Sequence, residues 1–259
     1  AALTDVPPSF ADALDDNALQ GARIGVVRDL FGSNAEVIAV VDAALAAMTA
    51  AGATVEDVVI EDLADITGYS SVSRWEFRDH LTEYLMSWSS DEDSHLRSFE
   101  AVLASGGYEN DSLFVLALDA LSGTTREFDP TYLENVQERG PFVRARLFAA
   151  LNHETLDGTP LGAPYDALVY PSIQGLAATA GSSPSTGSNN RLSPFSGFPA
   201  ISMPAGMAAT EPALPVGMEL LGREFDEAGL LRLAYAYEQL AQGLDGLGRS
   251  APTFTPELE

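Results

Sequence analysis

The residue types that most often carry enzymatic chemistry are scarce in this chain. It contains no Cys, and all 13 of its basic residues are Arg, which excludes thiolate chemistry, disulfides, lysine bases and lysine Schiff bases. The three histidines, His80, His95 and His153, are far apart, and none has i,i+4 spacing to a second His or to a carboxylate pair typical of a metal site. The sequence therefore predicts neither a metal site nor a cofactor.

Serine is frequent, but its surroundings do not favour a nucleophile. The sequence has no G-x-S-x-G segment, the sharp turn on which a nucleophilic serine is exposed in α/β-hydrolases. A triad serine also needs a histidine held beside it, and no spacing in the chain places one there. We therefore expect this chain to contain no catalytic residue.

A β-α-β pattern is the first of the elements that must position any site. Residues 23–27 are a short β-branched run, apolar residues recur at helical spacing over 37–48, and residues 54–60 are typical of a second strand. Ser33 and Glu36 have the spacing of a capping box at the start of the helix. Because a crossover helix returns the chain in the same direction, the pattern predicts two parallel strands.

The rest of the chain changes in composition along its length. Residues 1–20 are rich in Pro, Asp and Ala and are typical of a linker-like approach, whereas residues 65–155 have mainly helical patterning and suggest a helical layer. Residues 165–243 hold three further strand patterns and a last helix, for which Asp226 has the position of an N-cap. This order of elements predicts an α/β fold.

The net charge of −25 limits the class of partner. A strongly acidic chain is unsuited to nucleic acid or to an anionic membrane. No apolar run approaches the roughly 18 residues that span a bilayer, and no signal peptide is visible, so the localisation stays open. The first residue is Ala1 rather than Met, from which we expect a chain processed or cut from something longer.

Four consecutive motifs near the C-terminus carry a family resemblance. The residues are S-P-F-S-G-F-P-A-I-S-M-P-A-G at 193–206, L-P-V-G-M-E-L-L-G-R at 214–223, F-D-E at 225–227 and L-L at 230–231. In this order the motifs resemble the C-terminal part of the amidase-signature hydrolases. Weaker matches extend the resemblance over most of the chain, at 21–26, 76–85 and 166–172.

The resemblance implies that residues 1–259 are the C-terminal portion of one α/β domain, in which helices cover a mixed β-sheet and which is incomplete without its N-terminal half. That family hydrolyses amides with a serine nucleophile, a bridging serine on a cis peptide and a lysine, all upstream of the residues matched here. The Gly- and Ser-rich stretch 181–188 is similar to the serine signature in composition, but Pro184 stands where the signature requires a second Gly. The expected partners are therefore an N-terminal half that carries the Ser-rich signature and a lysine, and a small-molecule amide substrate.

The acyl site is expected beyond strand 167–170, because ligand crevices in α/β sheets lie past the carboxyl ends of strands. Asn190 offers an amide group suited to a neutral amide, and Phe195 offers an apolar wall. Arg191 has two alternatives, a ligand for a carboxylate or a structural ion pair. We expect the site to be lined by Tyr170, Ser172, Asn190, Ser193 and Phe195.

Three functions are compatible with these patterns. The first is part of an amidase that works through an acyl-serine intermediate, with this chain supplying sheet, helices and pocket wall but no catalytic residue. The second is a non-catalytic binding module that kept the pocket without the chemistry. The third is part of an amidotransferase A-type subunit, in which the same chemistry feeds ammonia to a partner. A second polypeptide with the Ser-rich signature and a lysine would separate the first and third from the second.

Overall fold

A computed structural model describes residues 9–88, 95–107, 126–179, 187 and 189–242. Apart from residue 187, the stretch 181–188 lies outside the described residues. The strands are β1 (Arg23–Val26), β2 (Thr54–Asp57), β3 (Ala167–Pro171), β4 (Ala200–Met207) and β5 (Pro215–Leu221). The helices are α1 (Ala35–Ala50), α2 (Leu63–Gly68), α3 (Ser73–Ser87), α4 (Phe99–Ser105), α5 (Pro130–Gln137), α6 (Arg139–Asn152), α7 (Leu192–Ser196) and α8 (Glu227–Gln242).

The predicted β-α-β unit is present at the start of the fold. β1 and β2 run parallel, with Ile24 opposite Val55, and α1 connects them. The N-cap of α1 is Asn34, whose side-chain oxygen accepts the backbone N–H groups of Glu36 and Val37, both at 3.1 Å. The helix therefore starts one residue later than the capping box at Ser33 predicts.

The five strands form one mixed sheet in the order β2-β1-β3-β5-β4. β3 pairs parallel with β1 and antiparallel with β5, and β5 pairs antiparallel with β4. This confirms the predicted fold class. Every residue of β3 is buried, as its unbroken apolar run requires for a strand covered on both faces.

Two apolar clusters lie among the described residues of the larger of two compact units, which comprises Ala1–Thr67 and Phe142–Glu259. One cluster joins α1 and α8 to alternate residues of the sheet, and Val26 and Val169 belong to it. The other joins residues of α6 to the opposite alternation, which includes Leu168 and Tyr170. The period of two along β3 thus divides its side chains between the two clusters.

The smaller unit, Gly68–Pro141, is helical where it is described. Trp75 of α3 is buried, and its indole N–H donates to Asp129 Oδ2 at 3.0 Å. Asp129 also caps α5, because its Oδ1 accepts the N–H groups of Thr131 and Tyr132. The helical stretch from Pro130 to Asn152 is divided in two, since α5 ends at Gln137 and α6 begins at Arg139.

No helix in the described ranges has both the length and the apolar character needed to cross a membrane.

Candidate functional site

The carboxyl ends of β1 and β3 meet at one edge of the sheet, because these two strands are parallel. The chain leaves β1 through Val27, whose N–H donates to Val169 O at 3.0 Å, and then forms a short 3₁₀ helix at Arg28–Leu30. It leaves β3 at Ser172. The loops after both strands are thus held beside each other at the place where an α/β sheet usually binds its ligand.

Asn189 ties these two loops together. Its side chain is 2% exposed, and Nδ2 donates to Leu30 O and to Pro171 O, both at 2.7 Å. Its Oδ1 accepts a hydrogen bond from Gln174 Nε2 at 3.0 Å. Its backbone N–H donates to Ser172 O at 3.3 Å. One buried amide therefore uses both of its ends to connect the exits of β1 and β3.

The sequence favoured Asn190 over Asn189, and the structure separates the roles of these neighbours. Asn190 is exposed, whereas Asn189 is the buried residue of the pair. The partners of Asn189 lie far away in sequence, at Leu30 and Pro171. No local pattern could therefore have distinguished the two.

Ser172 is the first residue after β3. Its backbone N–H donates to Gly217 O at 3.0 Å, and its hydroxyl oxygen is enclosed without a hydrogen-bond partner among the described residues. A Cβ added at Gly217 would lie 3.1 Å from this oxygen, so the glycine leaves room for the Ser172 hydroxyl. The rim of the sheet thus contains a buried hydroxyl with unused hydrogen-bonding capacity.

Tyr170, another predicted site residue, lies in the core. Its hydroxyl donates to Glu219 Oε1 at 2.6 Å, and Ser202 Oγ donates to Glu219 Oε2 at 3.3 Å. The three residues are register partners on β3, β5 and β4, so the sheet itself aligns them. Burial, and then the neighbouring Glu219 carboxylate, raise the pKa of Tyr170 well above its ordinary value. Tyr170 is therefore a neutral hydrogen-bond donor.

The remaining predicted residues lie on or beside α7. Ser193 Oγ donates to Phe198 O at 2.8 Å. Phe195 is half-buried against the α6 cluster, and the Arg191 guanidinium lies 6.0 Å from its ring centre. Three of the predicted residues are thus close in sequence, namely Asn190, Ser193 and Phe195. Tyr170 lies on β3, and Ser172 comes directly after this strand. Their joint role as an acyl site stays a prediction.

A separate groove lies between β4 and α8. Its volume is about 390 Å³, and it is mainly apolar. Tyr237 at its base donates from its hydroxyl to Ala205 O at 3.2 Å, and burial raises the pKa of Tyr237 to about 12. The groove is lined by β4 residues 201–204, by α8 residues between Leu231 and Gln242, and by Leu14.

Within the described ranges, no group of three or more His, Asp or Glu side chains has the geometry to hold a metal ion. The polar groups that Asn189 connects at the exits of β1 and β3, Gln174 and the backbone of Ser172, are neutral, whereas Arg28 after β1 is paired with Asp42 and Asp57. Neutral groups of this kind suit a neutral ligand that both donates and accepts hydrogen bonds.

Comparison with known proteins gives a consistent family. The family model described as Amidase matches residues 3–231. The A-type subunit of glutamyl-tRNA(Gln) amidotransferase from Myxococcus xanthus is 29% identical over 97% of this chain and 51% of its own length, and that from Brevibacillus brevis is 26% identical over 93% and 49%. The chain thus spans about half the length of these relatives.

Solved structures agree with this at the level of the fold. The native peptide amidase of Stenotrophomonas maltophilia superposes with a TM-score of 0.70 at 24% identity, over 97% of this chain and 49% of that one. A bacterial aryl acylamidase of the amidase-signature family superposes with a TM-score of 0.61 at 18% identity, over 91% and 46%. The motifs, the mixed sheet and the match over residues 3–231 together establish that the chain belongs to the amidase-signature family.

Proposed function

We propose that the chain is part of an amidase that hydrolyses carboxylic amides through an acyl-serine intermediate. It supplies the sheet, its covering helices and a wall of the acyl pocket. The observation that carries the proposal is the neutral polar cluster of Asn189, Gln174 and Ser172 at the exits of β1 and β3, in which Asn189 joins both loops and orients Gln174. A neutral amide substrate needs both hydrogen-bond donors and acceptors from its site, and this cluster contains both.

The catalytic serine and lysine of this proposal come from a complementary N-terminal half. Its proposed docking place is β4, which among the described residues pairs only with β5. An open strand edge presents unpaired N–H and C=O groups to a further strand. Pro204 lies on β4 next to a register shift at Gly206, which limits the pairing to part of the strand.

The test is an assay of the two-part complex. The chain is co-expressed with a polypeptide from the same source that carries the Ser-rich signature and a lysine, and the complex is assayed with an aryl amide, a peptide amide and glutamine. We expect amide hydrolysis by the complex and none by this chain alone, because loss of the catalytic groups costs several orders of magnitude in rate.

The control replaces the partner's nucleophilic serine by Ala, which should remove the activity while the complex still forms. Hydrolysis by the pure 259-residue chain would overturn the proposal that the catalytic groups lie on the partner. A stable complex that hydrolyses none of the three amides would overturn the amidase assignment and favour the non-catalytic binding module.

A second candidate is part of an amidotransferase A-type subunit, which is favoured by the names of the relatives from Myxococcus xanthus and Brevibacillus brevis. The same assay separates it from a free-standing amidase. Glutamine hydrolysis that needs a further polypeptide favours the amidotransferase. Aryl or peptide amide hydrolysis without one favours the amidase.

A further inference from the structure

The orientation of the Gln174 side chain follows from two main-chain carbonyls that it does not touch. Leu30 O and Pro171 O can only accept hydrogen bonds, so Asn189 must present its NH2 group to them. That leaves Asn189 Oδ1 on the opposite side, facing Gln174. Gln174 must therefore present Nε2 to Asn189, as the 3.0 Å hydrogen bond requires.

This arrangement fixes what Gln174 offers at its other end. With Nε2 held by Asn189, the carbonyl oxygen Oε1 points elsewhere, and no described residue donates a hydrogen bond to it. The Gln174 backbone is held as well, because its N–H donates to Gly187 O at 2.9 Å. The side chain is half-buried. Gln174 thus presents one oriented acceptor at the carboxyl ends of β1 and β3.

Two glycines approach the end of the Gln174 side chain closely. A Cβ added at Gly187 would lie 2.5 Å from Gln174 Oε1, and one added at Gly32 would lie 3.2 Å from the same atom. Both glycines are exposed. Any side chain at either position would therefore cover the oxygen or displace it.

We propose that Gln174 Oε1 accepts a hydrogen bond from the N–H of the substrate's carboxamide, and that Asn189 is the positioning residue that holds it for this purpose. The inference rests on the proposed amidase function and narrows its substrate class to amides with at least one N–H. Tertiary amides and esters lack that donor. The acceptor is neutral, which suits an uncharged amide nitrogen.

The first test uses the 259-residue chain alone and does not depend on activity. The side-chain amide signals of Gln174 are followed by ¹⁵N NMR while propionamide is added, with N,N-dimethylpropionamide as the matched ligand without N–H. We expect saturable shifts of the Gln174 signals with propionamide only, and their loss in the Gly187→Ala variant. Gly187 does not have a left-handed backbone, so alanine there acts by covering the oxygen.

The control is Gly68→Ala, because a Cβ at Gly68 meets no atom within 4 Å. That variant should respond to propionamide as the unchanged chain does. Equal shifts with both ligands, or no shift with either, would overturn the inference.

The second test uses the active complex and compares a primary amide with the methyl ester of the same acid. Gln174→Met keeps the length of the side chain and removes the acceptor. We expect kcat/KM for the primary amide to fall about tenfold, the value of one neutral hydrogen bond, with ester hydrolysis changed less than about twofold. Asn189→Leu should lower the same amide-to-ester ratio, whereas a purely structural role would lower both rates together.

The two proposals fail in different ways. A complex that hydrolyses amides and esters but loses both equally in Gln174→Met would overturn the Gln174 inference and leave the amidase assignment standing. If Asn189→Leu does not fold, Gln174→Met and the NMR titration still decide the question.

Discussion

At the scale of single residues, Glu219 is a buried acidic residue of the sheet. Each of its two carboxylate oxygens accepts one hydrogen bond, Oε1 from the Tyr170 hydroxyl and Oε2 from the Ser202 hydroxyl. A buried carboxylate without partners would be costly. The two hydroxyls, from the neighbouring strands β3 and β4, allow the carboxylate to be buried on β5.

We expect Glu219→Gln to change the free energy of unfolding by less than about 1 kcal/mol, because glutamine can accept from Tyr170 and donate to Ser202. Glu219→Leu should cost about 1–3 kcal/mol, since it leaves the Tyr170 hydroxyl buried without an acceptor. Urea denaturation measures both. The control is the double variant Tyr170→Phe with Glu219→Leu, which removes both partners and should recover part of the loss; equal loss in the single and double variants would contradict this account.

A second prediction at this scale concerns the acyl site. In the active complex, Asn190→Ala and Phe195→Ala should change the order of preference among amides of different acyl size, because pocket contacts discriminate between substrates. The measurement is kcat/KM across an acetyl, butyryl and benzoyl series. A uniform loss across the series, or none, would remove these residues from the pocket.

At the scale of elements, local signals predicted most of the strands and helices. The β-α-β unit and the C-terminal strands follow from apolar periodicity over adjacent residues, which is why they agree with the structure. The second strand ends at Asp57 rather than at residue 60. The polar cluster at the exits of β1 and β3 depends on hydrogen bonds from Asn189 to Leu30 and Pro171. Contacts between residues so far apart in sequence produce no periodic pattern, so the sequence did not predict the roles of Asn189 and Gln174.

In the smaller unit, the link between α3 and α5 should weaken in acid. The hydrogen bond from Trp75, and then the N–H groups of Tyr132 and Thr131, lower the pKa of Asp129 in the folded state. A group whose pKa is lower in the folded state than in the unfolded state stabilises the fold at pH values above its unfolded pKa, which for Asp129 is 3.8. This stabilisation is lost as the pH falls from 3.8 through the folded pKa. We expect an acid transition in Trp75 fluorescence below about pH 4.

The measurement is made in a Trp88→Phe background, so that Trp75 is the only tryptophan. Asp129→Asn should lower the stability at neutral pH and flatten its dependence on pH between about 2 and 4. An acid transition of unchanged size in Asp129→Asn would assign it to other carboxylates.

At the scale of the whole molecule, the main feature is the excess of negative charge. The 38 acidic residues exceed the 13 basic residues by 25. Several of the arginines are paired, as Arg146 is with Asp62 at 2.6 Å and Arg23 is with Glu56 at 2.6 Å. Such pairs use only a minority of the carboxylates, so the excess remains a source of repulsion in the folded state.

We therefore expect the melting temperature to rise between about 0.1 and 1 M NaCl, over which the Debye length falls from about 10 Å to about 3 Å. Chloride is the right salt, because sulfate would also strengthen apolar burial. A flat or falling melting temperature would mean that local ion pairs already compensate the excess charge.

The hydrogen bond from Asn189 to Leu30 joins residues 159 positions apart, and this has a consequence for the order of folding. Closing so large a loop is entropically unfavourable, and contacts of high sequence separation form slowly. The hydrogen bonds of Asn189 cannot form until the two chain segments of the larger unit have met. During synthesis, a ribosome-bound chain that ends before residue 189 therefore has no oriented Gln174, and the proposed amide acceptor forms only after Asn189 has joined the fold.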